Sequence, residues 1–411
     1  MAVVPAPSAS RWPALAWAPA VARGAHPGAD PGADPGRRAW AEIDLDAVSD
    51  SVDVICRRAG DAAVMAVVKA DGYGHGAVPC AHAALRAGAS WLGVAFVEEA
   101  AELRASGISA PVLVLVEPAT GALEEAAALD CDVAVGSMRS LGEAEAVGRT
   151  RGQPTRVHLK TDTGLSRGGA VDDDWPQLCA AAAAAVADRT VDVVGVWSHL
   201  ACADRPDHPS VAAQLSSYRV ALDIAHRAGL RPTVRHLGSS GAALAIPAAH
   251  FDLVRAGISV YGLSPGPAVG TSASLGLRPA MSLRARIAMT KRVPAGTAIG
   301  YGHRYSTAAE TTLALVPLGY ADGVPRAASG VGEVLVAGRR RTIVGTVSMD
   351  QVVVEVGDDE VAAGDEAVVF GSGERGEPTA DEWGRAIGTI GYEVVTRIGA
   401  RVPRVYTATR R

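Results

Sequence analysis

The sequence predicts an α/β protein in which an eight-stranded parallel βα barrel of the TIM type is followed by a C-terminal, mainly antiparallel β domain. Between residues 64 and 257, eight short apolar runs alternate with segments that have apolar residues at helical spacing. After Leu277 helical spacing nearly vanishes, and alternating runs are separated by turn residues. Eight βα units within about 200 residues are typical of a closed barrel. An open doubly wound sheet is the alternative, although it rarely needs eight strands.

The predicted barrel strands are rich in valine. The segments between them, such as 97–107 and 120–130, have helical spacing and glycine near one end. The eight runs are VMAVVKA (64–70), WLGVAF (91–96), PVLVLV (111–116), DVAVG (132–136), RVHLKTD (156–162), VVGVWSHL (193–200), TVRHLG (233–238) and FDLVRAG (251–257).

The C-terminal part has the period-two alternation of antiparallel strands. Its runs are MSLRARIAMT (281–290), TTLALVPLG (311–319), GEVLVAG (332–338), RTIVGTVSMD (341–350), QVVVEVG (351–357) and EAVVFG (366–371). We therefore expect a barrel domain over residues 38–276 and a β domain over residues 277–411. Residues 38–48 precede the barrel, and we expect them either to join the β sheet or to flank the barrel.

Composition limits the class of protein and its cellular compartment. Residues 1–37 are rich in Pro, Ala and Gly, which predicts a disordered tail, and one stretch of the tail faintly resembles a signal peptide. A formal charge of −5 gives no reason to expect nucleic acid. No apolar run reaches transmembrane length. Five dispersed cysteines fit a reducing compartment, so we expect a cytoplasmic protein without a disulfide framework.

Polar side chains recur at the ends of the predicted barrel strands, where catalytic groups of such barrels lie. The five are Lys69, Arg167, His199, His236 and Arg255. Spacing alone leaves three interpretations of Lys69: a surface lysine, a phosphate-binding lysine, or a lysine that binds a carbonyl carbon covalently.

A set of motifs decides between these interpretations. VVKADGYGHG, HLKTDTGLSR, SHLACAD, VRAGISVYG, VPLGYADG, VSMDQ, GYEV and RVPRVY together resemble the alanine racemase family over residues 40–406. The resemblance implies an enzyme that uses pyridoxal 5′-phosphate, with a βα barrel and a C-terminal β domain. It also implies that Lys69 binds the cofactor covalently.

The resemblance assigns further cofactor contacts. Arg255 would meet the pyridine nitrogen, and because guanidinium keeps its protons that nitrogen would stay unprotonated. His199 would stack on the pyridine ring, and His236 would be hydrogen-bonded to Arg255. From residues alone, a structural role is the preferred interpretation of either histidine. The residues implied to bind phosphate are Tyr73, Ser240, Gly257, Ile258 and Tyr392; Ser240 is also open to interpretation as a helix N-cap.

Racemisation needs two bases, because a proton leaves one face of the carbon and returns on the other. The resemblance assigns these roles to Lys69 and to Tyr301 of a partner subunit, which implies a homodimer with shared sites. Arg167 and Met349 would contact the substrate carboxylate. Lys160 matches a lysine that is carbamylated in many relatives; an ordinary lysine at a strand end is the alternative. Thr346 departs from the pattern, since many relatives have arginine there.

We therefore expect a pyridoxal-phosphate-dependent alanine racemase that supplies D-alanine for peptidoglycan, with no bound metal. Three alternatives stay open at this stage. A broader racemase acting on serine or basic amino acids would have the same fold. A decarboxylase would favour an acidic partner for the pyridine nitrogen, where this sequence has Arg255. A non-enzymatic cofactor-binding protein would lack the β domain that contains Tyr301.

Overall fold

Residues 37–408 are described by a computed structural model. The predicted N-terminal tail, residues 1–37, and its signal-like stretch lie outside the described residues apart from Arg37. The described chain begins with strand β1 (Ala39–Asp44) and helix α1 (Leu45–Ala59). Asp44 caps this helix, because its side chain accepts a hydrogen bond from the Ala47 backbone N–H.

Eight parallel strands then form one sheet in the order β8-β7-β6-β5-β4-β3-β2-β9. The edge strands β8 and β9 come together through two backbone hydrogen bonds, Asp252 N–H to the Arg235 carbonyl and Arg255 N–H to the Gly238 carbonyl. These bonds close the sheet into the predicted barrel. The strands are β2 (Ala63–Val67), β3 (Trp91–Val94), β4 (Val112–Val114), β5 (Asp132–Val135), β6 (Thr155–Lys160), β7 (Val191–Trp197), β8 (Val234–His236) and β9 (Leu253–Ala256).

Helices follow these strands on the outside of the barrel, where their apolar faces pack on the strands. They are α3 (Ala77–Arg86), α4 (Val97–Ala105), α5 (Ala122–Ala128), α6 (Met138–Arg151), α7 (Trp175–Ala187), α8 (Pro209–Arg227), α9 (Ser240–Ala245) and α10 (Ser272–Leu275). The segment α2 (Lys69–Tyr73) is a left-handed turn at the carboxyl end of β2 rather than an outer helix. The main apolar core lies between strands and helices. A separate small cluster, Met65, Val67, Leu113 and Leu253, fills part of the barrel interior.

The C-terminal half forms a nine-stranded sheet in the order β11-β14-β17-β16-β15-β18-β10-β1-β19. Its strand pairs are antiparallel except for β1 with β19. Besides β1, the strands of this sheet are β10 (Met281–Arg286), β11 (Met289–Val293), β14 (Thr311–Val316), β15 (Glu333–Val336), β16 (Arg339–Val344), β17 (Val352–Gly357), β18 (Glu366–Phe370) and β19 (Arg404–Thr407). Two short strands, β12 (Ala298–Ile299) and β13 (Tyr305–Ser306), form an antiparallel pair of their own.

The predicted fold class is confirmed, and three details are added. Strand β1 lies in the nine-stranded sheet, between β10 and β19. Two helices in the C-terminal half, α11 (Ala380–Ile387) and α12 (Gly391–Thr396), were not expected from the sequence. Strand β2 ends at Val67, short of the predicted end at Ala70, because the backbone turns left-handed from Ala70 onward.

Candidate active site

Lys69 begins a left-handed turn at the carboxyl end of β2. The φ angles of Ala70, Asp71, Gly72 and Tyr73 are 53°, 51°, 60° and 52°. For residues other than glycine this conformation costs about 1–2 kcal/mol each. Strain of this kind persists only where the surroundings enforce it, and it is concentrated at functional sites.

Three side chains hold this turn in place. Glu99 Oε1 accepts a hydrogen bond of 2.6 Å from the Ala70 N–H. Asp71 Oδ1 accepts one of 2.8 Å from the Ala77 N–H. The Nδ1 of buried His75 lies 3.0 Å from the carbonyls of both Gly72 and Tyr73, so it must be the protonated ring nitrogen. The turn therefore fixes the direction in which the Lys69 side chain leaves the strand.

The environment of Lys69 favours the neutral amine. Burial lowers the pKa of Lys69, and Arg167 lowers it further, whereas Glu99 acts in the opposite direction. Arg167 itself is exposed, in the loop that follows β6. A neutral amine is the form that can attack a carbonyl carbon, so the site suits covalent chemistry at Lys69.

Lys160, the last residue of β6, belongs to the same electrostatic group. Its Nζ lies over the ring of Trp197, 4.6 Å from the ring centre. Burial, Arg167 and Arg255 all lower the pKa of Lys160. Several positive groups therefore surround one part of the barrel mouth, and an anion there would be favoured.

The guanidinium of Arg255, on β9, is held by neutral acceptors. Nη1 donates to the His236 carbonyl (3.0 Å) and to His236 Nδ1 (3.1 Å). Nη2 donates to the Ser198 carbonyl (2.8 Å) and to His199 Nδ1 (3.0 Å). Burial lowers the pKa of Arg255 to about 10, which still leaves it charged at neutral pH.

Among the hydrogen bonds of the described residues, none involves the Nε of Arg255. This nitrogen is the guanidinium donor left for a ligand. Burial and the nearby Arg255 hold the pKa of His199 well below its ordinary value. The pKa of His236 is lowered in the same way by burial, with His158 and Arg255 adding to the effect. Both imidazoles are therefore neutral.

Tyr73, Ser240 and Gly257 form a cradle of hydroxyl and N–H groups between α2 and the end of β9. Ser240 Oγ accepts hydrogen bonds from the N–H groups of Gly257 (2.9 Å) and Ser259 (3.4 Å). A Cβ on residue 257 would collide with the hydroxyl of Tyr73. Ser240 is the first residue of α9, and Ser239 occupies the N-cap position. The alternative interpretation, in which Ser240 is the N-cap of this helix, is therefore wrong by one residue.

Tyr392 of helix α12 lies beside this cradle. Its ring centre is 6.4 Å from that of Tyr73. Burial raises the pKa of Tyr73 to about 12, and it also raises that of Tyr392, so both hydroxyls stay protonated as donors. Ile258 is buried next to Gly257. The structure thus brings together Tyr73, Ser240, Gly257 and Tyr392, four of the residues predicted to bind phosphate. The fifth, Ile258, is placed there only as the chain neighbour of Gly257.

Tyr301 and Met349 lie apart from this group. Tyr301 begins a one-turn 3₁₀ segment and is 73% exposed; Met349 is 53% exposed. Thr346 Oγ1 donates a hydrogen bond of 3.0 Å to the Tyr301 carbonyl, which anchors that turn. Within the described chain, no hydrogen bond or ring contact joins Tyr301 to the barrel residues.

The sequence prediction did not include several residues that the structure places at the site. Glu99 contacts the lysine turn, and His158 and Asp132 lie behind His236 in the barrel interior. A weak signal existed for His158, which precedes Lys160 by two residues and so shares its face of β6. An isolated glycine in the β7 pattern, Gly195, was a second signal, since such a glycine indicates close approach of a neighbour.

A closed βα barrel with a half-buried lysine at a strained turn and a cradle of hydroxyl and N–H groups at its strand ends is typical of a barrel enzyme. The profile of the alanine racemase N-terminal domain matches residues 43–265, and that of the C-terminal domain matches residues 280–406. The chain belongs to the alanine racemase family, a family of isomerases.

Relatives span nearly the whole described chain. A protein named alanine racemase from Frankia casuarinae is 60% identical over 369 residues, which cover 90% of this chain and 96% of the relative. The crystal structure of an alanine racemase from a D-cycloserine-producing Streptomyces lavendulae is 55% identical, with a TM-score of 0.89 and coverage of 90% and 97%. The alanine racemase from Bacillus anthracis with bound L-Ala-P is 34% identical, with a TM-score of 0.83 and coverage of 91% and 96%.

Proposed function

We propose that this chain interconverts L-alanine and D-alanine with pyridoxal 5′-phosphate as cofactor. The observation that carries the proposal is the grouping of a lysine of lowered pKa, an anion cradle and an arginine with neutral partners at one barrel mouth. Membership of the alanine racemase family supports the choice of substrate.

The residues at the barrel mouth fit this cofactor. The hydroxyls of Tyr73, Ser240 and Tyr392 would donate to a phosphate, as would the Ile258 N–H, and donors of this kind need no further charge. The Gly257 N–H donates to Ser240 Oγ in this structure and would turn to the phosphate when the cofactor binds. Arg255 Nε is free to donate to a ring nitrogen, and neutral His199 beside it suits a stacked pyridine. When bound, the cofactor withdraws electrons from the substrate and makes its Cα proton acidic.

The chain's own groups then move the proton. Lys69 would hold the cofactor and, on release, take or give a proton on one face of the substrate carbon. Tyr301 would do the same on the opposite face. Arg167 and the backbone N–H of Met349 would orient the substrate carboxylate, which keeps the Cα–H bond between the two bases.

We propose that Tyr301 is supplied by a second copy of the chain. Two bases must approach one carbon from opposite faces, and Tyr301 has no contact with the barrel group in the described residues. Large apolar side chains stand exposed in the same half of the chain, Tyr301 (73%), Ile390 (59%), Met349 (53%) and Tyr320 (45%). Tyr320 and Met349 lie on adjoining segments, because the Ala321 N–H donates to the Met349 carbonyl. A contiguous exposed apolar surface there would suit the interface of a homodimer with shared sites.

Arg255 favours racemisation over decarboxylation. An acidic partner would protonate the ring nitrogen, whereas Arg255 donates and keeps its own protons. Its partners are carbonyls and neutral imidazoles. Arg255 would therefore leave the ring nitrogen of the bound cofactor unprotonated, which would weaken the electron sink and limit side reactions.

Several proposals complete this assignment. The product would serve peptidoglycan synthesis in the cytoplasm; the five cysteines are unpaired in the structure, in keeping with a reducing compartment. Within residues 37–408, the helices lack the combination of length and apolar character that spanning a bilayer requires. The domain division at residues 276 and 277 and carbamylation of Lys160 stay predictions.

Measuring racemisation over a panel of L-amino acids tests the proposal. We expect deuterium exchange and inversion with alanine, at a kcat/KM at least tenfold above that for serine, lysine or arginine. Comparable rates for serine or the basic amino acids would assign the broader specificity. Lys69→Ala should abolish both activity and the covalent attachment of pyridoxal phosphate that borohydride traps. Trapping on the Lys69→Ala chain would assign the wrong lysine.

A further inference from the structure

A line of hydrogen-bonded side chains crosses the barrel interior behind Arg255. His236 Nε2 lies 2.7 Å from His158 Nδ1, and His158 Nε2 lies 3.0 Å from Asp132 Oδ2. Asp132 Oδ1 accepts a hydrogen bond of 2.5 Å from Arg156 Nε. We call Arg255, His236, His158 and Asp132 the barrel chain. Every member is buried, the most exposed being Arg255 at 4%.

The two ends of the barrel chain set its direction. Arg255 can only donate, so His236 Nδ1 must accept, and the His236 proton must lie on Nε2. That proton is donated to His158 Nδ1, which leaves the His158 proton on Nε2, facing Asp132. Although burial alone would raise it, hydrogen bonds from His158 and Arg156 hold the pKa of Asp132 below its ordinary value. An ionised Asp132 can only accept, so one proton arrangement satisfies the whole chain.

The surrounding residues are shaped to hold the two imidazoles. The ring of Trp197 is parallel to that of His236, within 4° and with centres 5.6 Å apart. Trp91 meets the His158 ring edge-on at 5.5 Å. The β6–β7 register shifts next to His158 and brings Gly195 opposite it, where a Cβ would collide with His158 Nδ1. A glycine and two tryptophans thus keep His158 and His236 in hydrogen-bonding position.

We propose that His158 and Asp132 are positioning residues that fix the tautomer of His236 and, through it, the orientation of Arg255. An unprotonated His236 Nδ1 accepts a hydrogen bond from Nη1 of Arg255. This bond orients the guanidinium so that its Nε is directed to the ligand. The effect on catalysis rests on the proposed function. The proton arrangement itself does not, because it follows from protein groups alone.

Asp132→Asn should reverse the direction of the hydrogen bonds along the barrel chain, because asparagine has the same shape as aspartate but presents an NH₂ donor. The amide oxygen must face Arg156, which can only donate, so the amide NH₂ faces His158 Nε2. His158 Nε2 must then accept, and both histidines move their protons to Nδ1. His236 then presents an N–H to the Nη1 N–H of Arg255, and this donor–donor conflict displaces the guanidinium. An asparagine in place of a histidine-orienting aspartate is known to trap the wrong tautomer.

Neutron diffraction from crystals of the full chain tests the arrangement directly. In the unaltered protein, deuterium is expected on Nε2 of both His158 and His236; deuterium on Nδ1 of either ring overturns the proposal, and this needs no variant. In Asp132→Asn, deuterium is expected on Nδ1 of both rings. Asp130→Asn is the matched control, because Asp130 also pairs with Arg156 but is exposed and outside the barrel chain. It should leave both tautomers unchanged.

Kinetics separate this inference from the proposed function. Asp132→Asn should lower kcat for alanine about 10–100-fold, with KM changed less than threefold, as for other residues that orient a ligand-binding group. Asp130→Asn should stay within twofold of the unaltered chain. If the unaltered chain fails to racemise alanine, the proposed function fails while the tautomers can still be as inferred. Unchanged kcat in Asp132→Asn with reversed tautomers would overturn the positioning role.

Discussion

At the scale of single residues, Gly257 leaves the space in which the hydroxyl of Tyr73 lies. A methyl group there would collide with that hydroxyl, and the backbone around residue 257 is buried, so little relief is available. Gly257→Ala should therefore weaken binding of pyridoxal phosphate by about 10-fold or more, since overpacking costs roughly 1–3 kcal/mol. Fluorescence titration of the chain with pyridoxal phosphate measures the loss.

A matched control exists for this substitution. Gly142 lies in helix α6, and a Cβ there meets nothing within 4 Å. Gly142→Ala should bind as tightly as the unaltered chain, with equal or greater stability, because alanine is the better helix former. Equal binding by Gly257→Ala would mean that the phosphate does not use this cradle.

Lys160 is predicted to react with carbon dioxide and form a carbamate. Its pKa is lowered by burial and by two arginines, so at pH 8 more of the amine is neutral than for an exposed lysine, and only the neutral form adds CO₂. A carbamate would also turn a repulsive neighbour of Arg167 into an attractive one. Native mass spectrometry should show the added mass of CO₂ in bicarbonate at pH 8 and its loss at pH 6. Lys160→Gln, which lacks the amine, should show no such change.

At the scale of elements, the left-handed turn α2 depends on Asp71. Its side chain caps the N–H of Ala77, at the start of α3, while its own backbone is left-handed. Asp71→Ala should lower the free energy of unfolding by about 1–2 kcal/mol, because it removes the cap and places a poor left-handed residue in the turn. Urea unfolding of the full chain measures this.

Asp71→Asn separates capping from charge. Asparagine keeps an acceptor oxygen and tolerates left-handed backbone, so it should recover most of the loss. If both variants unfold alike at neutral pH, the charge of Asp71 rather than its hydrogen bond stabilises the turn.

Elements with strong periodicity were predictable from the sequence, and those set by tertiary contacts were not. The barrel strands and helices such as α4 follow local alternation of apolar and polar residues. The sequence prediction placed the end of β2 too late, because apolar Val68 continues the pattern of the strand. In the structure the strand ends at Val67, and the backbone is left-handed from Ala70. Helix α12 has six residues and is defined by its packing next to Tyr73, a contact that spans over 300 residues.

The same division holds for the site. Lys69, Arg255 and Tyr73 stand in recognisable motifs, so their grouping could be predicted. The barrel chain could not, because His158 and Asp132 lie on different strands and each is an ordinary polar residue in its own stretch. Only the barrel topology brings β5, β6 and β8 to a common interior, where their side chains meet.

At the scale of the whole molecule, the shared-site dimer is testable by mixing two inactive chains. Lys69→Ala removes one base and Tyr301→Phe the other, so each variant alone should be nearly inactive. After random subunit exchange about half of the dimers are mixed, and each mixed dimer has one site with both bases and one with neither. Roughly a quarter of all sites should then be intact, and racemisation of alanine should recover to that fraction.

The control for this experiment is the doubly substituted chain, Lys69→Ala with Tyr301→Phe, mixed with Tyr301→Phe under the same exchange conditions. No site in that mixture can combine Lys69 with Tyr301, so its activity should stay at the level of the single variants. Recovery in the first mixture but not in the control requires Tyr301 to enter the site of its partner. If Tyr301 served the barrel of its own chain, every site in the first mixture would still lack either Lys69 or Tyr301. An inactive first mixture, with exchange proven by native mass spectrometry, would place both bases in one chain or assign the second base to another residue.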